Sequence, residues 1–440
     1  MEKLLEMAKR VADQAEIYSI ATSSNDLSFE NYELNEIKNS MQSGYALRII
    51  KNGYIGISYT KNLLDRNQLI ENALTSLRGK IAAQFSFSKK GHPKIFNDLY
   101  DKSIENIKIE TAVEEFKQIS SYVKKNLKSE GTLNISSSYG DRKIRLMNSN
   151  GVDYSHQSSF YENYSFILFP KSYSHIHTLL LDLKYKPFAL DKIQEMIDFY
   201  HKAYPEVKVA PGSYPTIFAP SALYSLMWRF NLATNAKSLY EKVSPLENKI
   251  SEQIFSDKLT IIDDPHIPDE CDSRGFDDEG VETSKLTLID KGVFKSFYNN
   301  LEYAAKTDSK PTGHGYKGSM MGGEETVSLK ISPSLTNITI APGDHSFEEM
   351  IKKIDKGVVV LGVLGAHSGN LLNGDFSVGL VPGLYVENGE IVGRIKDGMI
   401  AGNIYQVMKN VSMVENKVHR APLGRYPSIC FDQVKLSVKS

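Results

Sequence analysis

Hydrophobic positions along the chain switch between two periods, and the switches mark its elements. Four pairs of β-rich segments meet at short turn signals. Residues 44–50 and 54–59 flank Asn52-Gly53, and 145–148 and 152–155 flank Asn150-Gly151. Residues 286–289 and 293–298 flank Lys291-Gly292, and 384–387 and 391–395 flank Asn388-Gly389. Asn-Gly supplies the positive φ angles of a tight two-residue turn, so the sheets are predicted to be largely antiparallel. Between the hairpins the period lengthens. Residues 65–77 place Leu69, Ile70, Ala73, Leu74 and Leu77 on one helical face, with Asp65 as cap and Gly79 past the end. Helices are also predicted over 111–127 (Val113, Phe116, Ile119, Val123) and 192–204 (Ile193, Met196, Ile197, Tyr200). Ser346 followed by Glu349 is a capping box, with Met350, Ile351 and Ile354 inward and Gly357 as the stop. Residues 1–16 carry Leu4, Leu5, Ala8, Val11, Ala12 and Ala15 at helical spacing and predict an amphipathic helix, not a signal peptide.

Two seams divide this series. Residues 100–110 are polar, and residues 205–215 hold three prolines and Gly212. The expected architecture is α+β: a unit over 1–100, a second over 101–208, each a helix plus antiparallel sheet, and a larger, mostly β domain over 209–440. No nucleotide-type βαβ repeat is visible.

The longest apolar run, 358–366, contains two glycines and reads as a buried strand. It falls far short of the roughly 20 residues that span a bilayer. Lys plus Arg number 52 and Asp plus Glu 53, a balance that argues against a general nucleic-acid binder and against direct DNA contact. With only Cys271 and Cys430, no disulfide framework organises the chain, and reduced thiols in the cytoplasm are expected.

Candidate chemistry is sparse. Among ten histidines no pair has the i, i+4 spacing of a zinc helix. His175 and His177 point to one side of a strand, an arrangement that can hold a metal or simply sit among the aromatic neighbours Phe169 and Tyr173. His314 lies in Pro311-Thr312-Gly313-His314-Gly315, a loop whose glycines permit either a turn or close approach of a ligand. Cys271 sits in Asp269-Glu270-Cys271-Asp272, where acidic neighbours make a poor nucleophile; Cys430 reads as core. No phosphate loop or nucleophile elbow occurs. Asp277-Asp278-Glu279-Gly280 is the densest acidic cluster and can bind a hard cation, recognise an amine terminus, cap backbone groups in a loop, or simply sit solvated in a turn. Asp263-Asp264-Pro265 reads as a turn. Gly374-Asp375-Phe376-Ser377, alone, is a tight turn with an Asp cap.

Taken in order, these segments resemble the TldD/PmbA (TldE) family. The resemblance runs through Leu259-Thr260-Ile261-Ile262-Asp263-Asp264-Pro265, Phe276-Asp277-Asp278-Glu279-Gly280-Val281 and Leu288-Ile289-Asp290-Lys291-Gly292-Val293. It continues in Pro311-Thr312-Gly313, Ile340-Ala341-Pro342-Gly343-Asp344, Gly374-Asp375-Phe376-Ser377, Glu387-Asn388-Gly389-Glu390-Ile391 and Ile400-Ala401-Gly402-Asn403. The hairpin of residues 44–59 is similar to the family's first segment. The resemblance implies a heterodimeric, zinc-dependent peptidase acting on unfolded or small peptides. Its TldD-type subunit carries a His-Glu-x-x-x-His helix and a distant Cys ligand. Here the corresponding helix, after Pro220, reads Ser221-Ala222-Leu223-Tyr224-Ser225-Leu226-Met227-Trp228-Arg229, and Cys430 has a different context. The chain therefore resembles the PmbA (TldE) branch: no zinc of its own, zinc expected in a TldD-like partner subunit, and no catalytic residue here. Peptide contact is expected at Asp277, Asp278, Glu279, Gly280, Gly313, His314, Gly374, Asp375, Phe376 and Ser377. Alternatives are a metal-free homodimer that binds peptides, or the modulation of DNA gyrase for which the family was once named, acting indirectly.

Overall fold

The computed structural model describes residues 1–318 and 325–439. Its N-terminal part is one antiparallel sheet of long strands. These are β1 (Gln14–Glu30), β2 (Glu33–Lys51), β3 (Tyr54–Thr60), β4 (Thr132–Asn148), β5 (Asp153–Leu168) and β6 (His175–Asp182), in the spatial order β3-β2-β1-β4-β5-β6. β1 is the joint: it pairs with β2 on one side and β4 on the other, so strands from both N-terminal units share one sheet. Side-chain alternation then sorts the faces. Ile17, Leu27 and Phe29 of β1 face helices, with α1 (Glu2–Lys9) and α2 (Arg66–Ser76) at one end and α3 (Ile109–Asn126) and α4 (Leu190–Ala203) at the other. Tyr18, Ile20 and Thr22 point the other way.

The hairpin turns follow their sequence chemistry. Asn52 and Gly53, Lys291 and Gly292, and Asn388 and Gly389 all have positive φ. At Asn150-Gly151 only the glycine does; instead Asn148 Oδ1 accepts hydrogen bonds from the N–H groups of Asn150 and Val152. Asp65 caps α2 through Gln68 N–H, and the Ser346–Glu349 capping box is formed. Three expectations give way. The first helix stops at Lys9, because Gln14 to Glu16 are drawn into β1, where pairing on both sides outweighs helical spacing. The run 358–366 is a strand only through Val360, and resumes as the two residues Val363–Leu364. The strand at 293–298 is just Val293–Phe294.

Beyond residue 205 a larger mixed sheet is centred on Gly212–Phe218. This strand lies parallel to Lys356–Val360 on one side and antiparallel to Ile429–Val438 on the other. A second sheet of short strands includes Ile261–Asp263, Leu286–Asp290 and Ile338–Ile340. Helix α5 (Pro220–Thr234) starts with proline at its first turn and is buried around most of its circumference, with Ala222, Leu223, Leu226, Met227, Phe230 and Ala233 all at 0% exposure. At about 1.5–3 kcal/mol for each fully buried large apolar side chain, α5 is a main strut of the C-terminal core. Among the described residues, no helix is long and apolar enough to cross a membrane.

Candidate functional site

The acidic cluster is not a solvated turn. Asp277, Asp278 and Glu279 are all buried, and each carboxylate has dedicated partners. Asp277 Oδ1 accepts from the N–H groups of Glu279 and Val281, both at 2.9 Å, and Oδ2 accepts from Gly315 N–H at 2.8 Å. Asp278 Oδ1 lies 2.9 Å from Arg274 Nη1, and Oδ2 accepts from Lys317 N–H at 2.8 Å. Glu279 Oε2 accepts from Leu301 N–H at the start of a short helix, while Oε1 accepts from Arg48 Nη1 at 3.0 Å. Gly280 closes the turn at φ +71°; a Cβ there would stand 2.6 Å from Leu146 Cδ2 and 2.8 Å from Ser88 Oγ. Of the readings open from sequence, capping of backbone groups describes what these carboxylates do. Burial, with the charge of Glu279 adding to it, pushes the Asp277 carboxyl well above its ordinary range, against three backbone donors.

Arg48 ties this loop to the N-terminal sheet. It projects from β2, donates through Nε and Nη2 to Glu16 on β1, and reaches Glu279 231 positions along the chain. Its guanidinium lies 5.2 Å from the centre of the Phe87 ring. Burial opposes the charge on Arg48, but Glu16 and Glu279 outweigh it and raise its pKa. For Glu16 burial dominates even beside Arg48, and its pKa rises to about 7. Sequence reading missed both residues. The available signal was a charge at a core-phase position, Ala15-Glu16-Ile17 and Leu47-Arg48-Ile49.

His314 and Gly313 lie against the same loop. The His314 ring is 1% exposed and is held between Thr312 Oγ1 at 2.9 Å and Asp263 Oδ2 at 3.2 Å. Asp263, expected in a turn, is the buried end of a strand and also accepts from Thr336 N–H and Oγ1. Gly313, at φ +72°, brings its Cα against the backbone of Glu282, where a Cβ would stand 2.5 Å from the carbonyl oxygen.

In front of the loop, a cleft of about 430 Å³ opens between the sheet and the C-terminal domain. Its sheet wall is Tyr18, Ile20, Thr22, Arg142, Ile144 and His156; its other wall includes Cys271, Asp272, Arg274, Asp278, Tyr316 and Lys317. Both signs of charge line it. Arg142 and Asp272 approach to 3.6 Å across the opening, both partly exposed, so this pair adds little stability. Burial, then the nearby Arg48, brings the Lys317 amine down to about 8. Burial with Arg274 and Arg142 brings His156 down to about 3, so its ring is neutral at pH 7. Burial and Asp272 push the Cys271 thiol up to about 12, leaving it a poor nucleophile. The Tyr316 hydroxyl is buried and has no hydrogen-bond partner among the described residues.

The remaining predicted residues lie elsewhere. Gly374, Asp375, Phe376 and Ser377 open the strand Asp375–Leu380 of the larger sheet. Gly374 has φ +84°, Asp375 Oδ1 accepts from Asn403 Nδ2, Phe376 packs in the core and Ser377 is exposed. Beneath them Arg229 of α5, 0% exposed, donates to the carbonyls of Ser225, Ala366, Ser368 and Asp375 at 2.6–2.9 Å. His175 and His177 sit on the edge strand β6 with ring centres 5.7 Å apart, against Tyr164 and Phe166. His175 Nε2 is engaged by the Tyr164 hydroxyl. Phe169, expected beside them, instead stacks on Tyr200.

Fold and site together define an α+β protein whose long-stranded sheet and β-rich C-terminal domain are pinned by a buried charged loop. Residues 15–77 match PmbA/TldA metallopeptidase domain 1, and residues 211–438 match the PmbA/TldA metallopeptidase C-terminal domain. The chain belongs to this family. A metalloprotease of Methanocaldococcus jannaschii is 26% identical over 94% of this chain and 91% of its own. The metalloprotease PmbA of Escherichia coli O157:H7 is 30% identical over 52% of this chain and 47% of its own. In fold, the chain is similar to TldE from Thermococcus kodakarensis (TM-score 0.89, 24% identity, 99% of each chain). It is also similar to a Thermotoga maritima protein named for a proposed role as modulator of a DNA gyrase (TM-score 0.87, 25% identity, 99% of each chain).

Proposed function

We propose that this chain is the PmbA/TldE-like, non-metal-binding subunit of a TldD-type zinc peptidase that cleaves unfolded or small peptides. It supplies a chamber wall and peptide contacts, and a metal-bearing TldD-like partner supplies the chemistry. The observation that carries this reading is α5. Zinc hydrolysis requires ligands and a carboxylate to activate water. The side chains α5 turns inward are mostly apolar core; the buried hydroxyls of Ser225 and Thr234 donate to carbonyls of the helix itself, and its one buried charge, Arg229, is spent on four carbonyl oxygens. The two-signed cleft beside the acidic loop supports a peptide-binding role, since peptides present amide donors, carbonyl acceptors and charged termini. Effects on gyrase would follow indirectly, through degradation of a gyrase-directed peptide.

Co-expression with a family member bearing the His-Glu-x-x-x-His helix tests this. Cleavage of an unstructured peptide should require both chains and be abolished by a chelator. Cleavage by this chain alone, surviving chelation, would overturn it.

A further inference from the structure

The outer edge of β2 is open for much of its length. β3 pairs only with residues 45–51, and among the described residues no strand pairs with the outer side of 33–44. Residues 33–39 are exposed, and Leu34, Ile37 and Met41 show 45%, 42% and 86% of their surface. An uncovered edge of this length, carrying apolar side chains, is a template for strand addition.

The direction of its backbone groups follows from β3. Ile57 N–H donates to Ser76 Oγ, away from β2, so its register partner Arg48 turns its own N–H and C=O toward β1. Every second residue back from Arg48 does likewise, down to Lys38 and Glu36, and the pairing with β1 is regular from Glu36 onward. Ile37, Asn39 and Met41 therefore present N–H and C=O outward.

Two copies related by a two-fold axis must pair these outward residues with one another, which leaves a few registers. With Ile37 opposite Ile37, Glu36 of each copy faces Lys38 of the other, twice per interface, and Asn35 faces Asn39. Sliding one copy past the other by two residues, the smallest step that keeps outward residues paired, sets Glu36 against Glu36 or Lys38 against Lys38. A larger shift, Asn39 opposite Asn39, leaves both charges facing neutral side chains. The sequence of this edge thus selects one self-complementary register.

We propose that a second copy of this chain docks on the β2 edge, antiparallel, with Ile37 on the two-fold axis and Glu36–Lys38 pairs on either side. The pairing joins the two N-terminal sheets and covers Ile37 and Met41. It does not depend on the peptidase reading.

The test is a charge swap read by analytical ultracentrifugation over a concentration series. Glu36→Lys and Lys38→Glu each turn two attractive cross-strand pairs into two repulsive ones, and each should weaken dimerisation by about tenfold or more. The double variant restores both pairs with signs exchanged and should recover wild-type association. Both positions are exposed; Glu36 lies opposite Ser28 of β1, so Glu36→Lys should leave thermal melting unshifted, whereas Lys38→Glu sets a glutamate opposite Asp26 and should lower it slightly. A monomeric wild-type protein, a dimer indifferent to the single swaps, or a double variant as weak as the singles would each overturn the proposal. So would assembly only with a different partner chain.

Discussion

Replacing Arg48 with methionine would remove the cation that pairs directly with both Glu16 and Glu279 while keeping much of the side chain's packing against Phe87. Arg48, Glu16 and Glu279 are 7%, 1% and 0% exposed, so water cannot take over the lost contacts. Deleting one partner of a buried ion pair typically costs about 3–5 kcal/mol, chiefly because the charge left behind has no compensation. Here two carboxylates are left, which places the expected loss at pH 8 near the upper end, a large share of the ~5–15 kcal/mol stability of a typical domain. The loss should shrink at low pH. Without Arg48 the cheapest response of a buried carboxylate is to take up a proton, and that proton is readily available at pH 5 but scarce at pH 8. Urea denaturation of wild type and Arg48→Met at both pH values measures this, with the denaturant slope expected to stay unchanged. A loss below about 1 kcal/mol at pH 8, or an equal loss at both pH values, would refute the reasoning.

Further expectations follow from the same geometry. The raised pKa of Glu16 means the folded state holds a proton that the unfolded state has released. Its stabilising contribution is full below the ordinary value of 4.5 and is lost as pH climbs through about 7. At ~1.4 kcal/mol per pH unit this amounts to about 3 kcal/mol; Glu16→Gln should flatten the stability–pH curve in that window, as denaturation at stepped pH would show. Gly280→Ala combines a left-handed backbone with contacts at 2.6 and 2.8 Å, and should cost about 2–3 kcal/mol in chemical denaturation. Arg229→Met strands the buried carbonyls of Ala366, Ser368 and Asp375 and should cost about 3 kcal/mol or more, with Arg229→Lys intermediate because an ammonium lacks the planar fork. Unchanged melting in Arg229→Met would show that water satisfies those carbonyls.

Local rules were sufficient for much of this molecule. Asn-Gly and Lys-Gly turns, the Asp65 cap and the Ser346–Glu349 box each rest on atoms within four residues of one another, so sequence alone determined them. The α+β class and the ordered motifs, with their family resemblance, are also legible without coordinates, as is the α5 sequence, which offers no His, Glu or Cys. Pairing partners distant in the chain are not. Whether Gln14 to Glu16 extend a helix or enter β1 depends on strands whose partners of Glu16 arrive 32 and 132 positions later, at Arg48 and Asn148. The acidic loop shows the limit most plainly. Asp277-Asp278-Glu279 suits a solvated turn, a cation site or a cap equally well, because a carboxylate's role is set by what desolvates it and which donors face it. Only the tertiary structure brought Gly315, Lys317, Leu301, Arg274 and Arg48 around those oxygens, and buried them against a sheet whose strands all begin more than a hundred residues earlier.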